Sequence, residues 1–306
     1  MKIEAPSLRG SVSFAHGLDL VWASTRPREW IKNAFMFAPL LFGQRVLEPE
    51  SVLKATAAFV VFCLAAGSVY LVNDICDREA DRKHPQKRTR PVASGMLSVP
   101  MAATAAGVLL AAGLAAAFLL AFAFGVVTLA YVVLVTTYSI WLKHVVILDV
   151  FSIALGFVLR VAGGAVVIDV AMSHWLLICT MLLALFLGLS KRRHEIVTLG
   201  GDDSRRVLAE YNPIFLDMMI GVVTSATVVC YALYTVSQET VQRFHTDRLL
   251  FTLPFVLYGI FRYLYLVYHK NYGGDPSRTL VSDGPLIVDI MLWVLACGVI
   301  IYSARV

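Results

Sequence analysis

The chain has 306 residues, 58% of them hydrophobic and 15% charged, with a mean hydropathy of +0.74. A soluble domain is about half apolar and roughly a quarter charged, so this composition excludes a water-soluble globular protein, a disordered chain and a disulfide scaffold. It describes an all-α, polytopic integral membrane protein. The net charge of +5 gives no case for a nucleic-acid partner. Five cysteines (Cys63, Cys76, Cys179, Cys230 and Cys297) stand in apolar text without a CxxC pair and read as small buried hydrophobes.

Residues 1–29 are polar and mixed, with no apolar core beside a small-residue cleavage site, so no cleaved signal is expected. A membrane span needs about 20 mostly apolar residues. Nine candidates lie near 31–47, 51–72, 101–119, 121–142, 145–168, 174–190, 213–236, 249–269 and 285–303. The first opens on Trp30, Lys32 and Asn33, as an interfacial helix does. The third and fourth meet without a polar loop, which predicts a tight hairpin around Phe122–Gly125. The fifth carries Asp149 and Arg160, and the eighth carries Arg262.

The basic residues orient these spans. With a cytoplasmic N-terminus, the cytoplasmic segments hold 19 Lys and Arg and the opposite side 5, while Arg160 and Arg262 lie inside spans. Positive charge favours the cytoplasmic side. The polar loops 73–100 and 191–212 then share the cytoplasmic face of one membrane domain spanning 1–306, with no repeat and no soluble appendage. The expected location is the cell membrane.

The stretch after the second span carries the chemistry: Asn73-Asp74-Ile75-Cys76-Asp77-Arg78-Glu79-Ala80-Asp81. At about 100° per residue, Tyr70, Asn73, Asp74, Asp77 and Asp81 share one helical arc and Glu79 points elsewhere. Three carboxylates on one face repel one another unless a cation sits among them, and hard oxygen ligands of this kind suit Mg²⁺ with substrate phosphates. The plainer alternative is a solvated helix end whose acids pair with Arg78, Arg82 and Lys83.

The basic run that follows, 82–90, holds Lys83, Lys87 and Arg88 and is broken by Pro85, with Pro91 just after it. It reads equally as a topology signal and as a phosphate clamp beside the acidic face. After the sixth span comes Ser190-Lys191-Arg192-Arg193-His194-Glu195, where Lys191 and Glu195 are one helical turn apart and His194 has no metal-ligand spacing. Ionisable residues within the membrane are functional candidates. Asp149 and Arg160 are three turns apart and do not pair directly; Tyr138 and Lys143 are the candidate partners for Asp149. Arg262 reads as a structural or snorkelling cation.

Asn-Asp-x-x-Asp-x-x-x-Asp at the end of the second of nine spans resembles the first aspartate motif of the UbiA superfamily of intramembrane prenyltransferases. The resemblance implies nine helices around a central cavity open to the cytoplasm, with a metal-bound diphosphate at that motif and a second acidic motif after the sixth span. Here the second site holds one carboxylate, Glu195, among basic groups. In that respect, and in residues 26–33, 70–74, 142–144 and 159–164, the chain resembles the branch that transfers 5-phosphoribose from phosphoribosyl diphosphate to decaprenyl phosphate for cell-wall arabinan precursors. Those substrates carry more anionic groups than a prenyl diphosphate, and exchanging carboxylates for Lys and Arg suits them.

The resemblance implies that Asp74, Asp77 and Asp81 hold Mg²⁺, that Asn73, Lys83, Lys87 and Arg88 hold the donor, and that Lys32, Arg160, Lys191 and Arg192 orient the acceptor phosphate or the 5-phosphate. Asn33, Tyr70, Tyr138, Lys143, Asp149 and Glu195 complete the expected substrate site. The other readings are a prenyltransferase acting on an aromatic quinone or haem precursor, and a transporter. A homo-oligomer is compatible with the sequence.

Overall fold

A computed structural model describes residues 14–85, 87–199, 210–270 and 272–304, and all regular structure among them is helical. The chain runs through α1 (Phe14–Ser24), a 3₁₀ segment (Pro27–Phe37), α2 (Ala38–Phe42), α3 (Pro49–Cys76), α4 (Arg78–Lys83), α5 (Pro91–Ser94), α6 (Val99–Leu120) and α7 (Phe122–Ile140). It continues through α8 (Leu148–Val167), α9 (His174–Leu199), α10 (Pro213–Val236), α11 (Gln238–Phe244), α12 (Leu253–His269), α13 (Pro276–Ser282) and α14 (Gly284–Ser303). The 200–209 part of the expected cytoplasmic loop lies outside the described residues.

Among the described residues, eight helices are long and apolar enough to cross a membrane: α3, α6, α7, α8, α9, α10, α12 with its preceding 3₁₀ turn, and α14. Nine were expected, and the first, near 31–47, is not among the eight. Pro39 has no N–H to return to the carbonyl of Phe35; the N–H of Ala38 takes that carbonyl instead, three residues back, and the helix is wound tight. Tight winding also makes it long. At about 2.0 Å per 3₁₀ residue and 1.5 Å per α residue, Pro27–Phe42 covers about 30 Å, which is the thickness of a bilayer's hydrocarbon core. Arg26, just before this segment, pairs with Asp74 at the C-terminal end of α3, and the N–H of Val46, just after it, donates to Tyr302 at the far end of α14, at 2.9 Å.

The 3₁₀ period of three sets Asn33, Met36 and Pro39 in one buried line. That line lies against α8, where a Cβ on Gly164 would stand 2.0 Å from the carbonyl oxygen of Met36. Only glycine permits the approach. The α6–α7 hairpin turns at Ala121, whose extended backbone (φ −163°) separates the two helices, one residue before the expected turn.

Four apolar clusters hold the bundle, one of them joining α1, α3, α5 and α6 through Leu20, Leu71, Val92 and Ala102. Met36, Phe62, Phe124 and Tyr131 join the 3₁₀ segment, α3 and α7. Phe157, Phe186, Leu216 and Tyr263 join α8, α9, α10 and α12. Phe42, Tyr234, Leu249 and Cys297 join α2, α10 and α14. Cys63 and Cys297 are buried as expected, whereas Cys76 is exposed at the end of α3; all five cysteines are free.

Candidate active site

The acidic face is not one continuous helix. Asp77 stands between α3 and α4 with φ −90° and ψ 4°, which breaks the helical repeat. Asp74 and Asp81 remain on one side, both almost fully buried. Asp77 turns away and accepts from Lys143 Nζ at 2.6 Å. Three carboxylates around one cation were expected; among the described residues, no group of three or more acidic, His or Cys side chains is gathered closely enough to hold a metal.

Asp74 and Asp81 do converge on one atom. Arg90 Nη1 lies 2.6 Å from Asp81 Oδ2 and 3.2 Å from Asp74 Oδ1, and Arg26 also pairs with Asp74. The Arg26 guanidinium lies 5.0 Å from the Tyr70 ring centroid. Two carboxylates aimed at one cationic point, completed by phosphate oxygens, form a donor set that fits Mg²⁺. Arg26 and Arg90 are absent from the site expected from sequence. Each precedes a proline, and a residue before proline is disfavoured in the α conformation; Arg26 is left-handed (φ 54°) and Arg90 extended (ψ 143°). The Arg-Pro pairs were the available signal.

Beside this cluster opens a cavity of about 1350 Å³. Its polar end is lined by Arg26, Lys32, Tyr70, Asn73, Lys87, Arg90, Tyr138, Arg160 and Lys191, and its far end by Phe42, Trp175, Tyr231, Tyr234 and Trp293. Two ridges of the 3₁₀ segment face it, Ile31 and Ala34 with Phe37, and Lys32 and Phe35 with Ala38 of α2. Ile31, Val281, Ile290, Met291 and Val294 line the cavity and are accessible, on the side between the 3₁₀ segment and α14. The motif carboxylates do not line the cavity; their cationic partners Arg26 and Arg90 do.

Arg160 is a buried cation held by neutral groups: Nε donates to Asn33 Oδ1 (2.8 Å), Nη1 to the carbonyl of Gly156 (2.8 Å) and Nη2 to the Tyr131 hydroxyl (2.9 Å). Phe62, Tyr131 and Phe157 surround its guanidinium with ring faces. Among the described residues no carboxylate reaches it, so its charge is available to an anion in the cavity. Asn33 lies behind Arg160 and also donates to Cys63 Sγ, at 3.1 Å.

The basic run on α9 divides by direction, each residue turned about 100° from the last. Lys191 lines the cavity. Arg192 points into the bundle and is 2% exposed, with Nε 2.8 Å from Asp149, Nη1 2.5 Å from Glu195 and Nη2 3.1 Å from Tyr138. Arg193 pairs with Asp217 at 2.5 Å over the ring of Tyr268. Asp149 therefore has Arg192 as its partner, not the expected Lys143 or Tyr138, because the α8–α9 packing brings Arg192 nearest. Tyr211 donates to the other oxygen of Asp149 at 2.8 Å. Burial pushes the Tyr211 phenol above its ordinary range.

Tyr211 has a second task. Its oxygen accepts the N–H of Ile147 at 2.6 Å. Ile147 has φ 70° and ψ −48°, a strained conformation for a β-branched residue. The turn so held places Lys143, four residues earlier, against Asp77.

Lys83 and Arg88 are exposed and do not line the cavity. Glu79 points outward to Arg82, at 3.1 Å, as expected. Arg262 pairs with Asp283 at 2.9 Å, a structural contact.

A helical bundle, a buried cation-lined cavity and an Asn-Asp-x-x-Asp-x-x-x-Asp element at its mouth define an intramembrane transferase fold, and the sequence comparisons agree. The UbiA prenyltransferase family model matches residues 34–282, and the chain belongs to that family. It is similar to the decaprenyl-phosphate phosphoribosyltransferase of Mycolicibacterium smegmatis, 33% identical over 292 residues that cover 91% of each chain. It is also similar to the Corynebacterium glutamicum protein of the same name, at 34% over 289 residues, 90% of this chain and 85% of the other. The structure of a UbiA homolog from Archaeoglobus fulgidus bound to GPP and Mg²⁺ superposes with a TM-score of 0.72 over 92% of this chain and 99% of that one, at 17% identity, and shares its fold.

Proposed function

We propose that this protein transfers 5-phosphoribose from phosphoribosyl diphosphate to a polyprenyl phosphate, decaprenyl phosphate by similarity to its named relatives, for cell-wall arabinan precursors. One observation carries the reading: six cations, Arg26, Lys32, Lys87, Arg90, Arg160 and Lys191, line the polar end of the cavity. That many cations in one cavity suit two substrates bearing a diphosphate, a 5-phosphate and a lipid phosphate between them. A single prenyl diphosphate with a neutral aromatic acceptor brings fewer anionic groups to them.

Asp74 and Asp81 would hold Mg²⁺, with Asp77 beside them, and the ion would neutralise charge on the leaving diphosphate. Asn73, Lys87 and Arg90 bind donor phosphates at the mouth. Lys32, Arg160 and Lys191 bind the acceptor phosphate and the 5-phosphate. The C1–O bond of ribose breaks with its electron pair leaving on diphosphate, through an oxocarbenium-like state. The anionic lipid phosphate oxygen forms the new bond to C1, and no proton changes hands. The polyprenyl tail lies along the aromatic far end and leaves on the side between the 3₁₀ segment and α14. Tyr70 and Tyr138 border this site, with Lys83 and Arg88 on the surface outside the cavity; Asn33, Lys143, Asp149, Arg192 and Glu195 hold its frame.

The chain acts as one membrane domain with the motif end facing the cytoplasm. Single cysteines at positions 87 and 243 should be labelled from opposite faces of sealed vesicles. For activity, purified protein should transfer radiolabel from phosphoribosyl diphosphate to decaprenyl phosphate and lose that transfer when Mg²⁺ is chelated. Transfer of a prenyl group to an aromatic acceptor, with phosphoribosyl diphosphate ignored, would establish the prenyltransferase reading instead.

A further inference from the structure

The wall formed by α12 and α14 carries two buried polar groups that no step above uses. Asp289, in the second turn of α14, is 8% exposed and lines the cavity. Among the described residues no hydrogen bond or ion pair reaches its carboxylate, whereas the cavity's other acids are engaged: Glu29 with Lys32 at 2.5 Å, and Asp275 with the N–H of Arg278 at 3.2 Å. Tyr263, on the adjoining face of α12, also lines the cavity, is 2% exposed, and has a hydroxyl without a partner among the described residues. The wall makes room for the carboxylate, since a Cβ on Gly259 would stand 2.9 Å from Asp289 Oδ2. An unpartnered carboxylate in an apolar wall is costly to the fold.

Depth sets Asp289 near the polar end of the cavity. Asp289 lies five residues into α14, about 7.5 Å below its start. The start of α14 follows α13, whose Ser277 meets Glu29 at the cavity mouth. Lys32 and Asn33, three and four residues beyond Glu29 in the 3₁₀ segment, lie about 6–8 Å below that mouth. Asp289 is therefore on the tier of Lys32 and Arg160, not down among the aromatic residues of the far end.

We infer that Asp289, with Tyr263, is the subsite for the ribose hydroxyls of the donor, an inference that rests on the phosphoribosyl reading. The chemistry selects the occupant. A carboxylate accepts hydrogen bonds and repels anions, so neither the phosphates nor the diphosphate suit it, and the isoprenoid tail has nothing to donate. The 2- and 3-hydroxyls of ribose are the only uncharged donors in the proposed substrate pair. An acidic side chain accepting from ribose hydroxyls is a recurrent way of reading that sugar.

The test compares wild type with Asp289→Asn, and with Gly259→Ala, which keeps the carboxylate but displaces it. Each is assayed in full-length protein with phosphoribosyl diphosphate and with its 3-deoxy analogue. Hydrogen bonds to a charged group predict that Asp289→Asn lowers kcat/KM for phosphoribosyl diphosphate about ten- to hundredfold, leaves the KM for decaprenyl phosphate unchanged, and does not lower the melting temperature. Wild type should favour the natural donor over the 3-deoxy analogue by a similar factor, and both variants should lose that preference. Wild-type kcat/KM in Asp289→Asn, or discrimination retained in both variants, would overturn the subsite while the transferase reading stands. A wild type that does not use phosphoribosyl diphosphate would overturn both.

Discussion

Arg90 Nη1 lies 2.6 Å from Asp81 and also touches Asp74, so one guanidinium nitrogen occupies the point on which two buried carboxylates converge. Removing one partner of a buried ion pair costs about 3–5 kcal/mol, because it strands the remaining charge. Arg90→Ala should therefore melt at a lower temperature than wild type in the absence of metal. Added Mg²⁺ should restore more of that loss in the variant than it adds to wild type, since the ion then takes the vacated position without competition. Equal Mg²⁺ shifts in the two proteins would place the metal elsewhere.

Asp74→Asn and Asp81→Asn change volume little and remove one anionic oxygen each from the convergent pair. By analogy with losing one transition-state donor, each should raise the barrier by about 2.7–4 kcal/mol, a hundredfold or more in turnover. Asp77→Asn should cost less, because Asp77 faces Lys143. Glu79→Gln should match wild type in a steady-state assay.

The neighbours Lys191 and Arg192 should behave oppositely. Lys191→Ala should leave the fold intact and raise the KM of one phosphorylated substrate about tenfold or more, the loss expected for a charge-assisted contact. Arg192→Ala leaves Asp149 buried without its cation and should fail to accumulate as folded protein, or melt far below wild type. Size-exclusion profiles and thermal melts of the two variants, taken side by side, check the contrast.

Tyr211→Phe removes a donor from Asp149 and the acceptor of the Ile147 N–H. The loss should be about 1–3 kcal/mol of stability, together with reduced turnover because the turn that presents Lys143 to Asp77 loses its anchor. A variant with wild-type melting temperature and turnover would show that the Ile147 turn holds itself.

The spans were legible because lipid demands long apolar helices, and eight of the expected nine are present as such. The first escaped because it is a 3₁₀ segment followed by a short α-helix, a difference in winding that hydropathy does not register. Near the motif, the shared side of Asp74 and Asp81 was readable from helical spacing, but the turn of Asp77 towards Lys143 was not, since the break at that residue depends on its own backbone. The pairing of Asp149 with Arg192 spans 43 positions and follows from how α8 packs on α9. Asp289 was passed over inside an otherwise clear apolar run; a lone acid in such a run was the signal.

The 3₁₀ segment gives one wall of the cavity a register, in the sense that a β-strand has one. Three ridges repeat every third residue, so inserting or deleting a single residue before Lys32 would turn everything beyond it by about 120°. The line of Asn33 and Met36 would leave α8, and a neighbouring ridge would be pressed onto Gly164, where there is no room for it. The length of this wall in residues is therefore as constrained as the identity of the side chains it carries.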